Sequence, residues 1–190
     1  MKEGGKMESS ANPSLFRTIF GMMISPAGAL KGALSSKWYL SVMVSALAFG
    51  LFFVQTGLDL YKTGQKDISF VLLSVGAGVA YGLLVIPLLA GIIWLILKVA
   101  KTENSLMQAV SSFCLSYSGA LIYGVLGIAF SLILGWKTSL AFGITGVLWA
   151  IGPIIITIRE LTGGKNSLSV PIAALVSAVV LISWSAFGNL

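Results

Sequence analysis

The chain has 190 residues, of which 57% are hydrophobic and only 9% are charged, and its net charge is +6. Soluble domains carry roughly 25% charged residues, so this chain cannot cover a water-facing surface and is expected to face lipid. It contains no His and a single Cys, Cys114. This composition excludes an intrachain disulfide, a Cys/His metal site and a Ser-His-Asp catalytic triad.

The N-terminal part of the chain is polar and then amphipathic. Residues 1–12 are predicted to form a disordered tail. Residues 13–36 are predicted to form two short helices that begin at Asn12-Pro13 and at Ser25-Pro26. The first helix is expected to carry its apolar residues on one side: Leu15, Phe16, Ile19, Phe20, Met22 and Met23. Both helices are too short to span a membrane, so we expect them to lie in its interface. Packing of the first helix against the ends of the spans is a compatible alternative.

Residues 37–190 contain five apolar segments, which predict an all-α, polytopic membrane domain with five transmembrane helices. The predicted bounds are 38–58, 68–97, 106–135, 139–158 and 168–187. The second segment would extend about 45 Å, against a hydrocarbon core of about 30 Å, so it must tilt or bend. Pro87 and Pro153 are the predicted bends because proline removes a backbone donor.

The charged residues lie at the ends of these segments. Asp59 is interpreted as an interfacial residue at the edge of the first span rather than as a buried carboxylate. Basic residues set the orientation because cytoplasmic loops carry an excess of Lys and Arg. On the N-terminal side of the predicted bundle lie Lys2, Lys6, Arg17, Lys31, Lys37, Lys98, Lys101, Arg159 and Lys165, and on the other side lie Lys62, Lys66 and Lys137. This asymmetry predicts a multi-pass protein of the cell membrane with a cytoplasmic N-terminus and an external C-terminus. The basic face is also expected to attract anionic lipid headgroups, although setting the topology is the larger part of its role.

The sequence gives little support for catalysis or for ion-coupled transport. No predicted span carries an ionisable residue away from its edges, whereas ion pathways usually place one inside the bilayer. Paired membrane Asp residues and an H-E-x-x-H motif are absent, and Gly163-Gly164-Lys165 is interpreted as a flexible turn rather than a phosphate loop. We therefore predict a protein that is not an enzyme and that has no cofactor, no metal and no nucleic-acid partner.

The third predicted span carries the main polar signal inside the membrane. Its polar and small residues recur every three or four positions, which places them on one helix face: Ser105, Gln108, Ser112, Ser116 and Gly119. Ser111 and Ser118 lie nearby, and the candidate binding or bundle-contact residues are Gln108, Ser111, Ser112, Ser116 and Tyr117. One interpretation is a polar groove for a substrate, a lipid headgroup or water. The alternative is hydrogen bonding to neighbouring helices, at roughly 0.6–2 kcal/mol for each bond. The second span carries Gly78-x-x-x-Gly82, extended by Ser74, which would allow a close approach to another backbone.

The polar opening of the third span reads SLMQAVSSFCLSYSGALIYG, and a tight basic turn precedes it. Together with the amphipathic start around Ser25-Pro26 and the five spans, this layout resembles the Yip family, the Ypt/Rab-interacting membrane proteins, in its prokaryotic branch. Relatives often place Pro shortly after the Tyr-Ser pair, where this chain has Gly119-Ala120. The Asp-Leu-Tyr-Gly-Pro type of motif found in the N-terminus of eukaryotic members is not present, which argues against GTPase binding. The resemblance implies a non-enzymatic protein with a membrane-organising or transport-like role.

Two functions remain open from the sequence. The first is a five-span protein that organises or adapts membrane through its interfacial helices and through self-association as a homo-oligomer, with the lipid bilayer as its main partner. The second is a small-molecule or lipid transporter or channel. It would use the polar face of the third span and the bends at Pro87 and Pro153.

Overall fold

The computed structural model describes residues 15–33, 38–99, 104–164 and 166–188. All regular structure within these ranges is helical, and five helices are long and apolar enough to cross a membrane. The protein is therefore an all-α, multi-pass membrane protein, which confirms the predicted fold class. The predicted tail over residues 1–12 and the helix start at Asn12-Pro13 lie outside the described residues.

Two short helices precede the spans, α1 (Leu15–Ile24) and α2 (Pro26–Ala33). The spans are span 1 (Trp38–Lys62), span 2 (Ile68–Val99), span 3 (Leu106–Leu134), span 4 (Ser139–Leu161) and span 5 (Asn166–Gly188). Spans 1 and 4 continue beyond their predicted ends at 58 and 158, because a helix does not have to stop where its apolar run stops. We call the end of the bundle where span 1 begins and span 4 ends the near end, and the opposite end the far end.

Local signals in the sequence set several span boundaries. The Asp67 carboxylate accepts from the Phe70 backbone N–H at 3.1 Å and caps the start of span 2. The Ser105 hydroxyl accepts from the Gln108 N–H at 3.2 Å and caps the start of span 3. Span 3 ends at Gly135, whose φ of 70° is left-handed and suits glycine.

Span 1 is the central helix of the bundle. In the most apolar 18-residue stretch of span 1, 72% of the stretch is buried inside the protein, whereas the corresponding share is 22% in span 2 and in span 5. Its aromatic side chains reach three neighbours: the Phe49 ring lies 5.0 Å from Tyr81 and 4.9 Å from Tyr117, and Phe52 stacks on Trp184 at 5.2 Å. A helix that is packed on most of its sides can hold polar side chains only if each finds a partner.

Spans 1 and 2 approach each other closely along the glycine face predicted from the sequence. A Cβ on Gly78 would overlap the Phe49 carbonyl oxygen, and one on Gly82 would overlap the Ser45 carbonyl oxygen. Ser74, the third member of this face, packs against Gly57 of span 1, where an added Cβ would overlap the Ser74 hydroxyl oxygen. The missing side chains therefore let the two backbones come into direct contact.

Span 2 is irregular just before Pro87, the predicted bend. Residues Tyr81–Val85 form a π-helical turn in which the Ile86 N–H donates to the Tyr81 carbonyl. In this register the carbonyl of Gly82 would need a donor from Pro87, which has no N–H. The Ser45 hydroxyl of span 1 supplies a donor at 2.8 Å, which it shares with the Val42 carbonyl of its own helix at 2.9 Å. A proline in one span is thus compensated by a serine in another.

Span 4 is also interrupted near its proline. It begins with a π-helical turn over Ser139–Ile144, continues as Thr145–Trp149, and resumes as Ile151–Leu161 after Ala150. The Ala150 N–H is shared between the carbonyls of Gly146 and Val147, so the helix tightens there. Pro153 lies in the first turn of the next segment, a position that tolerates proline.

Span 3 is interrupted where the sequence predicts a continuous helix. Its two segments, Leu106–Leu115 and Ser118–Leu134, are separated by Ser116 and Tyr117. The Ser116 hydroxyl donates to the Ser112 carbonyl, and the Ser118 hydroxyl donates to the Leu115 carbonyl. Serines that compete for backbone carbonyls in this way loosen a helix, which explains the interruption.

Helices α1 and α2 form a hairpin against the outside of the bundle. An added Cβ on Gly21 of α1 would come within 3.1 Å of the Cβ of Ala29 in α2, so the two helices are in close contact. Helix α1 packs on the Ser118–Leu134 segment of span 3, and α2 packs on the Ile151–Leu161 segment of span 4. The hairpin therefore bridges two spans.

The side of α1 that packs on the bundle is not simply its apolar side. Thr18, which the sequence places on the polar side, is buried together with Met22. Phe16, Phe20 and Ile24 are exposed, by 71%, 41% and 85%. Thr18 and Met22 face the bundle, and the three exposed apolar side chains form an outward stripe.

Candidate functional site

Polar residues of spans 3 and 4 converge on a small cavity at the near end. Its volume of about 60 Å³ is enough for a few water molecules. It lies between span 3, span 4 and α2, and it is lined by Leu30, Asn104, Gln108, Ser112, Thr157, Glu160 and Leu161. Gln108 and Ser112 of the predicted polar face are therefore part of one site.

Asn104 is held in place on both sides of the cavity. Its side-chain nitrogen donates to the Leu161 carbonyl at the end of span 4. Its backbone carbonyl accepts from the Trp94 indole of span 2 at 2.8 Å. The bond to Leu161 uses one of the two N–H groups of the side-chain amide, so the second N–H and the acceptor oxygen Oδ1 remain available.

Thr157 also presents an acceptor. The Ser116 hydroxyl donates to the Ser112 carbonyl at 3.0 Å. The hydroxyls of Ser116 and Thr157 lie 3.0 Å apart, and either of them can be the donor in this contact. A hydroxyl oxygen can accept a hydrogen bond whether or not it donates one, so the Thr157 oxygen can serve as an acceptor. Glu160, which is exposed, adds the only charge among the described residues that line the cavity.

The remaining residues of the predicted polar face are used between helices. The hydroxyl of Ser111 pairs with that of Ser41 in span 1 at 2.7 Å. Tyr117 is fully buried, and its ring packs edge-on against Phe49 and Phe113. The predicted face therefore divides: Gln108 and Ser112 line a cavity, whereas Ser111, Ser116 and Tyr117 lie in contacts between spans.

At the far end, Asp59 is a buried carboxylate, so the prediction that its carboxylate is not buried is wrong. Its side chain is 8% exposed. It accepts from the backbone N–H groups of Thr138 at 3.1 Å and Ser139 at 2.8 Å, and from the Ser139 hydroxyl at 2.7 Å. These N–H groups lie at the start of span 4, where a helix has no partners of its own for them. Asp59 therefore caps span 4 from span 1, across 79 positions of sequence.

Lys62, one helical turn after Asp59, donates hydrogen bonds to the end of span 3. Its ammonium donates to the carbonyl and hydroxyl of Ser131, both at 2.6 Å, and to the Trp136 carbonyl at 3.1 Å. These groups lie in and after the last turn of span 3, where helix carbonyls lack donors. Asp59 and Lys62 together fasten the turn between spans 3 and 4 to span 1.

Gln55 is a buried polar residue that the sequence reasoning did not single out. It lies fully buried in span 1, and its Nε2 donates to the Gly124 carbonyl of span 3 at 3.3 Å. A Cβ on Gly127 would overlap this amide. The available signal was an amide in the middle of an apolar span, a position where polar side chains usually bond to another helix.

No group of three or more His, Cys, Asp or Glu residues within the described ranges is placed to hold a metal ion. Cys114 is buried in the main apolar core, where it packs as a small apolar side chain.

No protein-family profile matches this chain, and neither does any curated protein or solved structure.

Proposed function

We propose that this chain is a non-enzymatic membrane protein of the Yip type that organises membrane by inserting the α1–α2 hairpin into one leaflet beside its five spans. The observation that carries the proposal is the two-sided packing of the hairpin. Met22 and Leu30 are 1% and 2% exposed against the spans, whereas Phe16, Phe20 and Ile24 face outwards. A helix that is anchored on one side and apolar on the other is suited to lie among lipid acyl chains.

The depth of the hairpin supports insertion into a leaflet rather than attachment to its surface. Met22 and Leu30 share an apolar cluster with Val44 and Leu115. At 1.5 Å per residue, Val44 lies about 9 Å and Leu115 about 14 Å from the near ends of their spans. The hairpin adds apolar volume at this level near one end of the bundle, and such asymmetry favours membrane curvature.

The orientation proposed from the basic residues places the hairpin in the cytoplasmic leaflet of the cell membrane. Gln65→Cys at the far end and Glu160→Cys at the near end test it, since both positions are exposed and the native Cys114 is buried. A membrane-impermeant maleimide should label the first variant in intact cells and the second only after permeabilisation. The reverse pattern would overturn the orientation.

The function itself is tested by the shape of reconstituted vesicles. Wild-type protein should shift vesicles toward smaller diameters or tubules in electron cryomicroscopy. Changing Phe16, Phe20 and Ile24 together to Ser should remove that shift, because the stripe then loses its affinity for acyl chains. The matched control changes Leu84, Leu88 and Leu95 to Ser, three exposed positions of span 2 that lie outside the hairpin. Vesicles with the same diameters as protein-free ones would contradict the proposal.

Transport is supported less well. Ser111 and Ser116, two of the residues that would line a pathway, are bonded to spans 1 and 4. The near-end cavity of about 60 Å³ is far below the roughly 300 Å³ or more typical of a small-molecule site. Solute flux into proteoliposomes that is lost on combining Gln108→Leu, Ser112→Ala and Ser116→Ala would favour transport instead.

A further inference from the structure

The near-end cavity has a chemical character that points to a ligand. Its lining offers the amide of Asn104, the hydroxyl of Thr157 and the carboxylate of Glu160, together with the side chains of Gln108 and Ser112. Each of these five side chains carries an oxygen that can accept a hydrogen bond. Among the described residues that line it, none carries a positive charge. A site that is rich in acceptors and bears one negative charge matches a group with several N–H donors and one positive charge.

We propose that this cavity binds a primary ammonium group, such as the ethanolamine headgroup of a phospholipid or a small soluble amine. An ammonium carries three donors and no acceptor, which suits this lining. The volume of about 60 Å³ admits a compact ammonium. A trimethylated choline nitrogen is larger and has no N–H to donate.

A lysine that contacts Trp94 supports a zwitterion as the ligand. The Lys98 ammonium lies 4.7 Å from the centre of the Trp94 ring, and the Trp94 indole donates to the carbonyl of Asn104. Lys98 is therefore linked through one side chain to a residue of the cavity lining. A phosphate joined to the bound ammonium would find this cation nearby.

The ligand would also contact the hairpin. Leu30 of α2 is 2% exposed and forms part of the cavity lining. Binding of an ammonium beneath it would add contacts to the docked hairpin. This inference does not depend on the proposed role in membrane organisation, because its test measures binding alone.

The test is native mass spectrometry of the full chain in detergent, with phosphatidylethanolamine, phosphatidylcholine and phosphatidylglycerol that carry identical acyl chains. We expect about tenfold higher retention of the ethanolamine lipid than of the other two. Glu160→Gln should abolish this preference, because a hydrogen bond to a charged partner typically contributes tenfold or more in affinity. The matched control is Asp67→Asn, which makes the same change at an exposed carboxylate of the far end.

Two further measurements complete the test. Gln108→Leu should lower retention because it replaces a polar amide of the lining with an apolar side chain. Unchanged thermal unfolding of this variant and of Glu160→Gln shows that both are folded. Displacement of the lipid by millimolar phosphoethanolamine would assign the soluble amine as the ligand, and failure to displace it would assign the lipid. Equal retention of the three lipids, or a preference that persists in Glu160→Gln, would overturn the proposal.

Discussion

The two ends of the bundle use similar polar residues in opposite ways. At the far end, the Asp59 carboxylate accepts three hydrogen bonds and the Lys62 ammonium donates three. At the near end, the acceptors of Asn104, Thr157 and Glu160 surround a cavity. The Asp59 cluster and the cavity lining each combine one carboxylate with Ser and Thr residues. The pairing of these groups, rather than their types, therefore separates a structural contact from a candidate binding site.

The largest expected effect on the free energy of unfolding is at the far end, where the Asp59 carboxylate accepts three hydrogen bonds. Asp59→Ala should lower the free energy of unfolding by about 3 kcal/mol, because it leaves two buried backbone donors of span 4 unpaired. Asp59→Asn should lose less, since its amide oxygen still accepts. Denaturant unfolding in micelles measures both. A loss of stability for Asp59→Ala as small as that for Asp67→Asn would contradict the view that the hydrogen bonds of Asp59 hold the far end together.

The same reasoning applies to the middle of the bundle. Ser45→Ala should lower the free energy of unfolding by about 1–2 kcal/mol, because the Gly82 carbonyl loses its donor. Ser74→Ala is the matched control. The Ser74 hydroxyl donates to the Phe70 carbonyl within its own helix, and that carbonyl keeps its regular helical partner. Equal losses in the two variants would show that pairing of the Gly82 carbonyl contributes nothing.

A smaller effect is expected from Asp67, the exposed cap at the far end. Hydrogen bonds from the Ser69 hydroxyl and from the Phe70 N–H hold the pKa of its carboxyl below the ordinary value of 3.8. The charged form is therefore favoured in the folded protein. The resulting stability is present above pH 3.8 and is lost as pH falls through the lower, folded pKa. The melting temperature should fall in this window in wild type and fall less in Asp67→Asn. Identical curves would contradict this assignment.

The smallest expected effect is at the near end. Gln108→Leu should change the free energy of unfolding by less than about 0.5 kcal/mol, because its side chain lines a cavity. Ser111→Ala on the same helix should cost about 1 kcal/mol, since it breaks the pair with Ser41. A loss for Gln108→Leu larger than that for Ser111→Ala would show that the near end is held together like the far end.

Much of the fold follows from the sequence because its causes are local. The bilayer sets the length and apolarity of each span, so five apolar runs are enough to predict five helices. Asp67 and Ser105 cap helices through groups three residues away. The irregular turn of span 2 lies just before Pro87, and Gly78 and Gly82 form a close helix contact, as their residue types imply.

Only the tertiary structure decides which polar groups are paired. A helical pattern shows that Gln108, Ser112 and Ser116 share a face, but the interruption at Ser116 and Tyr117 and the rotation of each span decide what that face meets. Asp59 lies at the edge of an apolar run, and its donors are 79 and 80 residues away. Lipid offers no partner to a polar side chain, and the carboxylate of Asp59 finds its donors on another helix. The sequence therefore determines which polar groups need partners, and the packing of the bundle determines which of them are left to bind a ligand.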